Sequence, residues 1–161
     1  MDKDYVLIQN SLLPTVAGVG QTFGSLPAGT ALSVASGATF DVNGTSQTIG
    51  SLADNGPAGG NVTSSSAGSV VLTTGGNNSS TTYTGTITNG SGNIALTKTG
   101  TGVFTLGGSG TNTLSGPVNI QNGTLQLADS DNRLPATVSV VLGGTSTAGI
   151  LDLNNFNQTI A

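Results

Sequence analysis

Along this chain, apolar side chains return at every second position in short runs, and polar side chains fill the places between them. Leu32 and Val34 share one face of "ALSV", and Phe40 and Val42 share one face of "ATFDV", with Thr39 and Asp41 opposite. The same alternation places Val70 with Leu72, Ile94 with Leu96, Phe104 with Leu106, Val118 with Ile120, and Leu125 with Leu127. It continues through Val138, Val140 and Leu142 to Leu151 and Leu153. Period-two alternation with Thr on the far side predicts half-buried strands. Clusters of Gly, Asn and Ser end each run and predict turns. No stretch carries helical periodicity, and no apolar run approaches the ~20 residues that cross a bilayer as a helix.

A longer repeat overlies the short one. "ATFDVNGTSQTIG" near the beginning returns as "GILDLNNFNQTIA", with Asp41 matching Asp152 and Gln47, Thr48, Ile49 matching Gln158, Thr159, Ile160 at an offset of 111. Strand–turn units of roughly twenty residues lie between. A sandwich needs no internal repeat, and a propeller blade needs about forty residues and usually aromatics. The expected fold is therefore all-β, a right-handed parallel β-helix (solenoid) of roughly seven to eight coils over residues 27–161. At about 4.8 Å per coil it would be a rod on the order of 35–40 Å long. Asn43 and Asn154 are expected at turns, each bonding its equivalent in the next coil. On this reading the duplicated segment encodes a structural coil.

Composition narrows the function. Charged residues are 6% and aromatics 4% of the 161 residues, Gly is 26 of them, and the net charge is −4. The apolar fraction of 35%, regularly placed, argues for an ordered chain rather than a disordered one. Lys3, Lys98 and Arg133 are the only cations, too scattered to neutralise a run of phosphates, so nucleic acid is excluded as a partner. Cysteine and histidine are absent, which removes disulfides and thiolate or imidazole metal sites. "MDKDYVLIQN" has acids where a signal peptide carries bases, so the expectation is a processed chain or a piece of a larger secreted one.

"LTKTGTGVFTLGGSGTNTLSGPVNIQNGTLQLADSDNRLP" resembles the passenger-associated repeat of autotransporters and related bacterial surface proteins. The joint spacing of Lys98, Gly100, Gly102, Leu106, Gly108, Gly123, Leu125 and Leu127 carries the resemblance. "GATFDVNGTSQTIGSL" and "GILDLNNFNQTIA" resemble the companion segment of that family. The resemblance implies a right-handed parallel β-helix, exported by Gram-negative bacteria and displayed on or shed from the surface. It also implies service as a stalk and as an aid to secretion and folding. Gly100, Gly102, Gly108 and Gly123 would be its structural turn positions. The family's membrane barrel has no counterpart here, and residues 1–26 do not follow its pattern.

Candidate chemistry is sparse. A Ser nucleophile has no His, Cys or Glu base beside it. Asp41 and Asp152 would stand roughly 25 Å apart in a solenoid, against about 5–9.5 Å for paired glycosidase carboxyls. "ADSDNRLP" gathers Asp129, Asp131, Asn132 and Arg133, which suits either a turn or a Ca²⁺ site through Asp129 and Asp131. "GGSGTNTLS" follows the Ca²⁺-binding nonapeptide except that Asn112 replaces its Asp. Triplets such as Asn43-Gly-Thr45, Asn89-Gly-Ser91 and Asn122-Gly-Thr124 fit the glycosylation pattern, as chance predicts in such a composition.

The expectation is a non-enzymatic, extracellular structural or adhesive element of a bacterial surface or biofilm, with no cofactor. Its partners would be itself, end to end, and host or matrix surface glycans or proteins, without membrane insertion by this chain. In the fibre version Tyr5, Val6, Leu7, Ile8, Leu12 and Leu13 of one copy cover Ile160 and Ala161 of another. Residues 1–26 are equally suited to capping their own first coil. A carbohydrate-active or carbohydrate-binding β-helix and a Ca²⁺-dependent repeat module are the alternatives.

Overall fold

A computed structural model describes residues 24–161, and every pairing between its named strands is parallel. The first turn consists of β1 (Ala31–Val34), β2 (Thr39–Asp41) and β3 (Gln47–Thr48). The second has β4 (Ser51–Asp54), β5 (Asn61–Thr63) and β6 (Gly68–Thr74), and the third β7 (Thr81–Tyr83), β8 (Thr86–Ile87) and β9 (Gly92–Lys98). Two strands remain in the fourth turn, β10 (Val103–Leu106) and β11 (Val118–Ile120). The fifth likewise has two, β12 (Gly123–Leu127) and β13 (Val140–Leu142), and β14 (Gly149–Asp152) opens the next.

These strands form three walls. One runs β1–β4 and continues, with β7 beside β4, through β10, β12 and β14. Another is β3-β6-β9-β11-β13, and the third is β2-β5-β8. The result is an all-β parallel solenoid of about five turns, rather than the seven to eight expected. The reason is in the register. Ala31 pairs with Ser51 but Gly123 pairs with Gly149, so a turn takes 20 to 26 residues and most take more than twenty.

The alternation read from the sequence becomes stacked interior rows. Gln47, Leu72, Leu96, Val118 and Val140 lie in one row, Phe40, Val62 and Ile87 in a second, and Phe104, Leu125 and Leu151 in a third. Most of these side chains are buried, and each fully buried Leu, Ile or Val contributes roughly 1.5–3 kcal/mol. Leu142, on β13, is exposed where that strand pairs on one side only among the described residues, and Leu153, just past the end of β14, is exposed as well.

The β2-β5-β8 wall has no further strand after the third turn. There the chain is irregular, and side chains join scattered backbone bonds, Thr113 N to Ile87 O at 3.1 Å and Asn132 N to Asn157 O at 2.8 Å, in place of a continuous ladder. Asn112 Oδ1 accepts Ile87 N at 2.7 Å while Asn112 Nδ2 donates to Arg133 O at 2.8 Å, so one buried carboxamide joins three turns. Gln158 then brackets Leu134, accepting its N at 2.9 Å and donating to its O at 2.8 Å. Leu114 and Leu134 still point inward and are fully buried.

The duplicated segment has a narrower meaning than a whole coil. Asp41 ends β2, whereas Asp152 ends β14 on a different wall. What the copies share is a corner. In each, the aspartate Oδ1 accepts the N–H two residues on, at 2.8 Å from Asn43 and 2.9 Å from Asn154. In each, that Asn is left-handed, at φ 45 and 48. In each, the Gln reaches back one turn, Gln47 Oε1 accepting Leu26 N as Gln158 accepts Leu134 N. The repeated segment is thus a portable bend, used on two walls.

Candidate functional site

At the corner where β3, β6, β9 and β11 give way to the next turn, Gly29, Gly50, Gly75, Gly100, Gly123 and Gly149 stack on one another. Gly100 and Gly123 are left-handed, at φ 66 and 67. A Cβ at Gly123 would stand 2.5 Å from Gly100 O and 2.6 Å from Gly102 O, and one at Gly100 would overlap Gly75 O. Both the dihedral and the close approach therefore demand glycine. Gly102 is buried against the carbonyls of Asn78 and Ser79, which any side chain there would meet.

Lys98 closes this corner from inside. Its backbone pairs with Thr74 on one side and Ile120 on the other, which puts it in an interior row, and it is fully buried. Its ammonium donates to Thr99 O at 2.6 Å, Gly100 O at 2.9 Å and Asn122 O at 3.2 Å, so all three protons meet carbonyls, one of them on the following turn. Burial lowers its pKa from the ordinary lysine value. Thr74 Oγ1, buried beside it, has no hydrogen-bond partner.

Arg133 plays the corresponding part at another corner. Its two terminal nitrogens donate to Gly107 O and Gly110 O of the preceding turn, and its Nε is buried without a partner. Burial lowers its pKa, and the charge of Asp129 acts against that shift. Tyr83, also fully buried, donates its hydroxyl to Gly60 O at 2.9 Å; burial, and then the charge of Asp54, raise its pKa.

The acids are committed to the backbone. Asp129 is left-handed at φ 69, and its Oδ2 accepts Gly108 N at 2.7 Å. Asp131 Oδ1 accepts Asn157 N at 2.8 Å and its Oδ2 accepts Asn157 Nδ2 at 3.2 Å, which together lower its pKa. Asp41 Oδ1 takes Ser65 N as well as Asn43 N. Asp152 Oδ2 accepts Gln126 Nε2 at 2.9 Å. Among the described residues no group of three His, Cys, Asp or Glu side chains is arranged to hold a metal. Asn43 Oδ1 accepts the hydroxyls of Ser65 and Ser66 on the next turn, and Asn154 is exposed. Ile160 and Ala161 are exposed as well, while Tyr5, Val6, Leu7, Ile8, Leu12 and Leu13 lie outside the described residues.

Sequence reasoning passed over the bridges themselves. Lys98 was detectable, since it falls two residues after Leu96 and four after Ile94, in phase with the inward positions. The recurring Gln47 and Gln158 were visible as a repeat without a role. Arg133 and Asn112 gave no such signal, because the chain around them follows neither period.

Residues 96–127 match the passenger-associated-transport-repeat family. No curated protein and no solved structure matches the chain. The matched stretch begins in β9, where Leu96 pairs with Val118, and ends at Leu127, which pairs with Leu106. It is one full turn plus the strand stacked on it, and it contains both ends of the Lys98–Asn122 bridge.

Proposed function

We propose that this chain is a passenger stalk of the autotransporter type, a non-enzymatic rod at the bacterial surface or outside the cell. The observation that carries the reading is that residues 96–127, matched to the passenger repeat, form a turn and the strand stacked upon it in a parallel solenoid. A repeat of that length supplies its own stacking partner: glycine on glycine at the corner, Leu106 under Leu127 in the interior, Lys98 between. Successive copies then extend a rod whose stability is the sum of neighbouring interfaces.

Such a rod acts by shape. Its surface is rich in Thr, Ser and Asn and nearly free of cations, which suits weak, multivalent contacts with surface glycans or proteins rather than one tight site. The absence of catalysis in this reading is supported by the carboxylates of Asp41, Asp129, Asp131 and Asp152, which already accept hydrogen bonds from neighbouring residues. Head-to-tail stacking of copies into fibres extends the same reading.

The test is display. Fused ahead of an outer-membrane translocating barrel, the chain is expected to reach the cell surface as a protease-resistant rod, and the Gly123→Val variant to be degraded. Retention inside the cell, or polysaccharide cleavage by the purified chain, would overturn the reading. Electron microscopy addresses the fibre extension, which a field of single short rods would remove.

A further inference from the structure

Four Asn-Gly pairs lie among the described residues: Asn43-Gly44, Asn55-Gly56, Asn89-Gly90 and Asn122-Gly123. In such a pair the glycine nitrogen has no side chain shielding it and can close a five-membered ring on the asparagine carboxamide. The fold treats the four differently. Gly44 N donates to Ser64 Oγ at 3.0 Å, and Asn43 Oδ1 is held by Ser65 and Ser66, so nucleophile and electrophile are drawn apart. Asn89 is pinned at both ends, its Oδ1 by Ile94 N at 2.9 Å and its Nδ2 on Ser115 Oγ at 2.8 Å. Asn55 sits in an exposed turn.

Asn122 differs from all of them. Its Oδ1 accepts the Gly123 N–H at 2.9 Å, which holds the carboxamide against the nitrogen that would attack it. At the carbonyl of the same peptide group, Asn122 O accepts Lys98 Nζ at 3.2 Å. That oxygen is conjugated with the Gly123 nitrogen. A buried ammonium on it stabilises the amidate formed when the nitrogen gives up its proton, as a fixed dipole or charge stabilises any developing oxyanion. Nucleophile, electrophile and electrostatic stabiliser are thus assembled within one corner.

We propose that Asn122-Gly123 is a self-modification site, at which Lys98 promotes ring closure and loss of ammonia. Gly123 N loses its proton to hydroxide and bonds to Asn122 Cγ. The Cγ–Nδ2 bond then breaks, and the amide nitrogen leaves as ammonia with a proton from water. Water next opens either C–N bond of the imide, leaving aspartate or isoaspartate at 122. Both products carry a carboxylate on the turn that Lys98 already touches, so the buried cation gains an acid neighbour. Isoaspartate also lengthens the main chain by one methylene at the stacked glycines.

The full chain is incubated in mildly alkaline buffer, with and without urea, and all four pairs are followed by peptide mass mapping. In the folded chain Asn122 is expected to convert about tenfold faster than Asn43 and Asn89, the factor that about 1.4 kcal/mol of barrier represents. In urea the four rates converge, with Asn122 slowing while Asn43 and Asn89 accelerate. Lys98→Met should remove the advantage of Asn122 and leave Asn55 unchanged. An Asn122 that stays intact in the folded chain and reacts only in urea overturns the proposal, as does an unchanged rate in Lys98→Met. Should that variant fail to fold, the folded-against-urea comparison on the native chain decides alone.

Discussion

The third wall is closed by a continuous backbone ladder in the early turns and by side chains with a few backbone bonds in the later ones. Across β2, β5 and β8, main-chain groups pair with main-chain groups, and the Asn61 Oδ1 that accepts the Thr86 and Thr88 hydroxyls only adds to that ladder. Beyond Ile87 only scattered backbone bonds remain, and much of the task falls to Asn112, Arg133 and Gln158, each reaching a backbone group one turn away. A backbone ladder is indifferent to sequence, since every residue except proline carries the donor and the acceptor. A stitched wall depends on particular side chains at particular depths. The early half should therefore tolerate substitution on this wall, and the late half should not.

The corner glycines belong to both halves, so the largest effect is expected there. Gly123→Val sets a β-branched residue at φ 67 with its Cβ 2.5 Å from Gly100 O. The loss should be at least about 4 kcal/mol, read as a collapse of the urea midpoint for the whole rod. A variant that merely loosens residues after 123 would mean that the halves unfold separately. The direct contrast comes next. Asn112→Ala leaves Ile87 N and Arg133 O buried without partners and should cost about 2–3 kcal/mol. Asn61→Ala removes only two acceptor contacts from the hydroxyls of Thr86 and Thr88, at a half-exposed site, and should cost about 0.5 kcal/mol. Equal losses in the two variants would show that the walls do not differ in kind.

That contrast also separates what the sequence displays from what it conceals. The inward rows were legible because burial on one side imposes period two on Val70 and Leu72, Ile94 and Leu96, Phe104 and Leu106. β4 and β5 were less so: Ser51–Asp54 and Asn61–Thr63 each carry one large apolar residue, too few to alternate. The passenger-type spacing was legible because stacking fixes Gly100 against Gly123 and Leu106 against Leu127. The stitches were not, because a bridge such as Asn112 depends on residues about 21 to 25 positions away that no local pattern ties to it.

On the wall that stays laddered throughout, an interior polar group without a partner should be dispensable. Thr74 is buried next to Lys98 in the register, and its hydroxyl lacks a partner. Thr74→Val keeps the shape and removes the desolvated oxygen, so a gain of about 1 kcal/mol in urea unfolding is expected. A loss would mean that the hydroxyl is satisfied through water, and that this wall too relies on its side chains.

The smallest effect sharpens the contrast through pH. Hydrogen bonds from Asn157, backbone first and then side chain, hold the Asp131 carboxyl below the ordinary aspartate value of 3.8. For Asp152 the bond from Gln126 comes first and that from Asn154 second. A carboxyl whose folded pKa is depressed stabilises the fold above its unfolded value, and that stability drains away as pH falls through the folded value. The melting temperature should thus hold near neutrality and decline once pH drops below about 4. Asp131 bridges the stitched wall, joining its turn to Asn157 one turn later, so Asp131→Asn should flatten part of that decline. Lys98 works at the other end: burial lowers its pKa, so the folded chain releases that proton more readily than the unfolded one. Its contribution rises with pH from its folded value toward 10.5, until above pH 10 the raised Tyr83 hydroxyl, ionising first in the unfolded chain, pulls the other way. An alkaline rise that survives in Lys98→Met would assign it to some other group, and would leave the glycine corner insensitive to the charge it encloses.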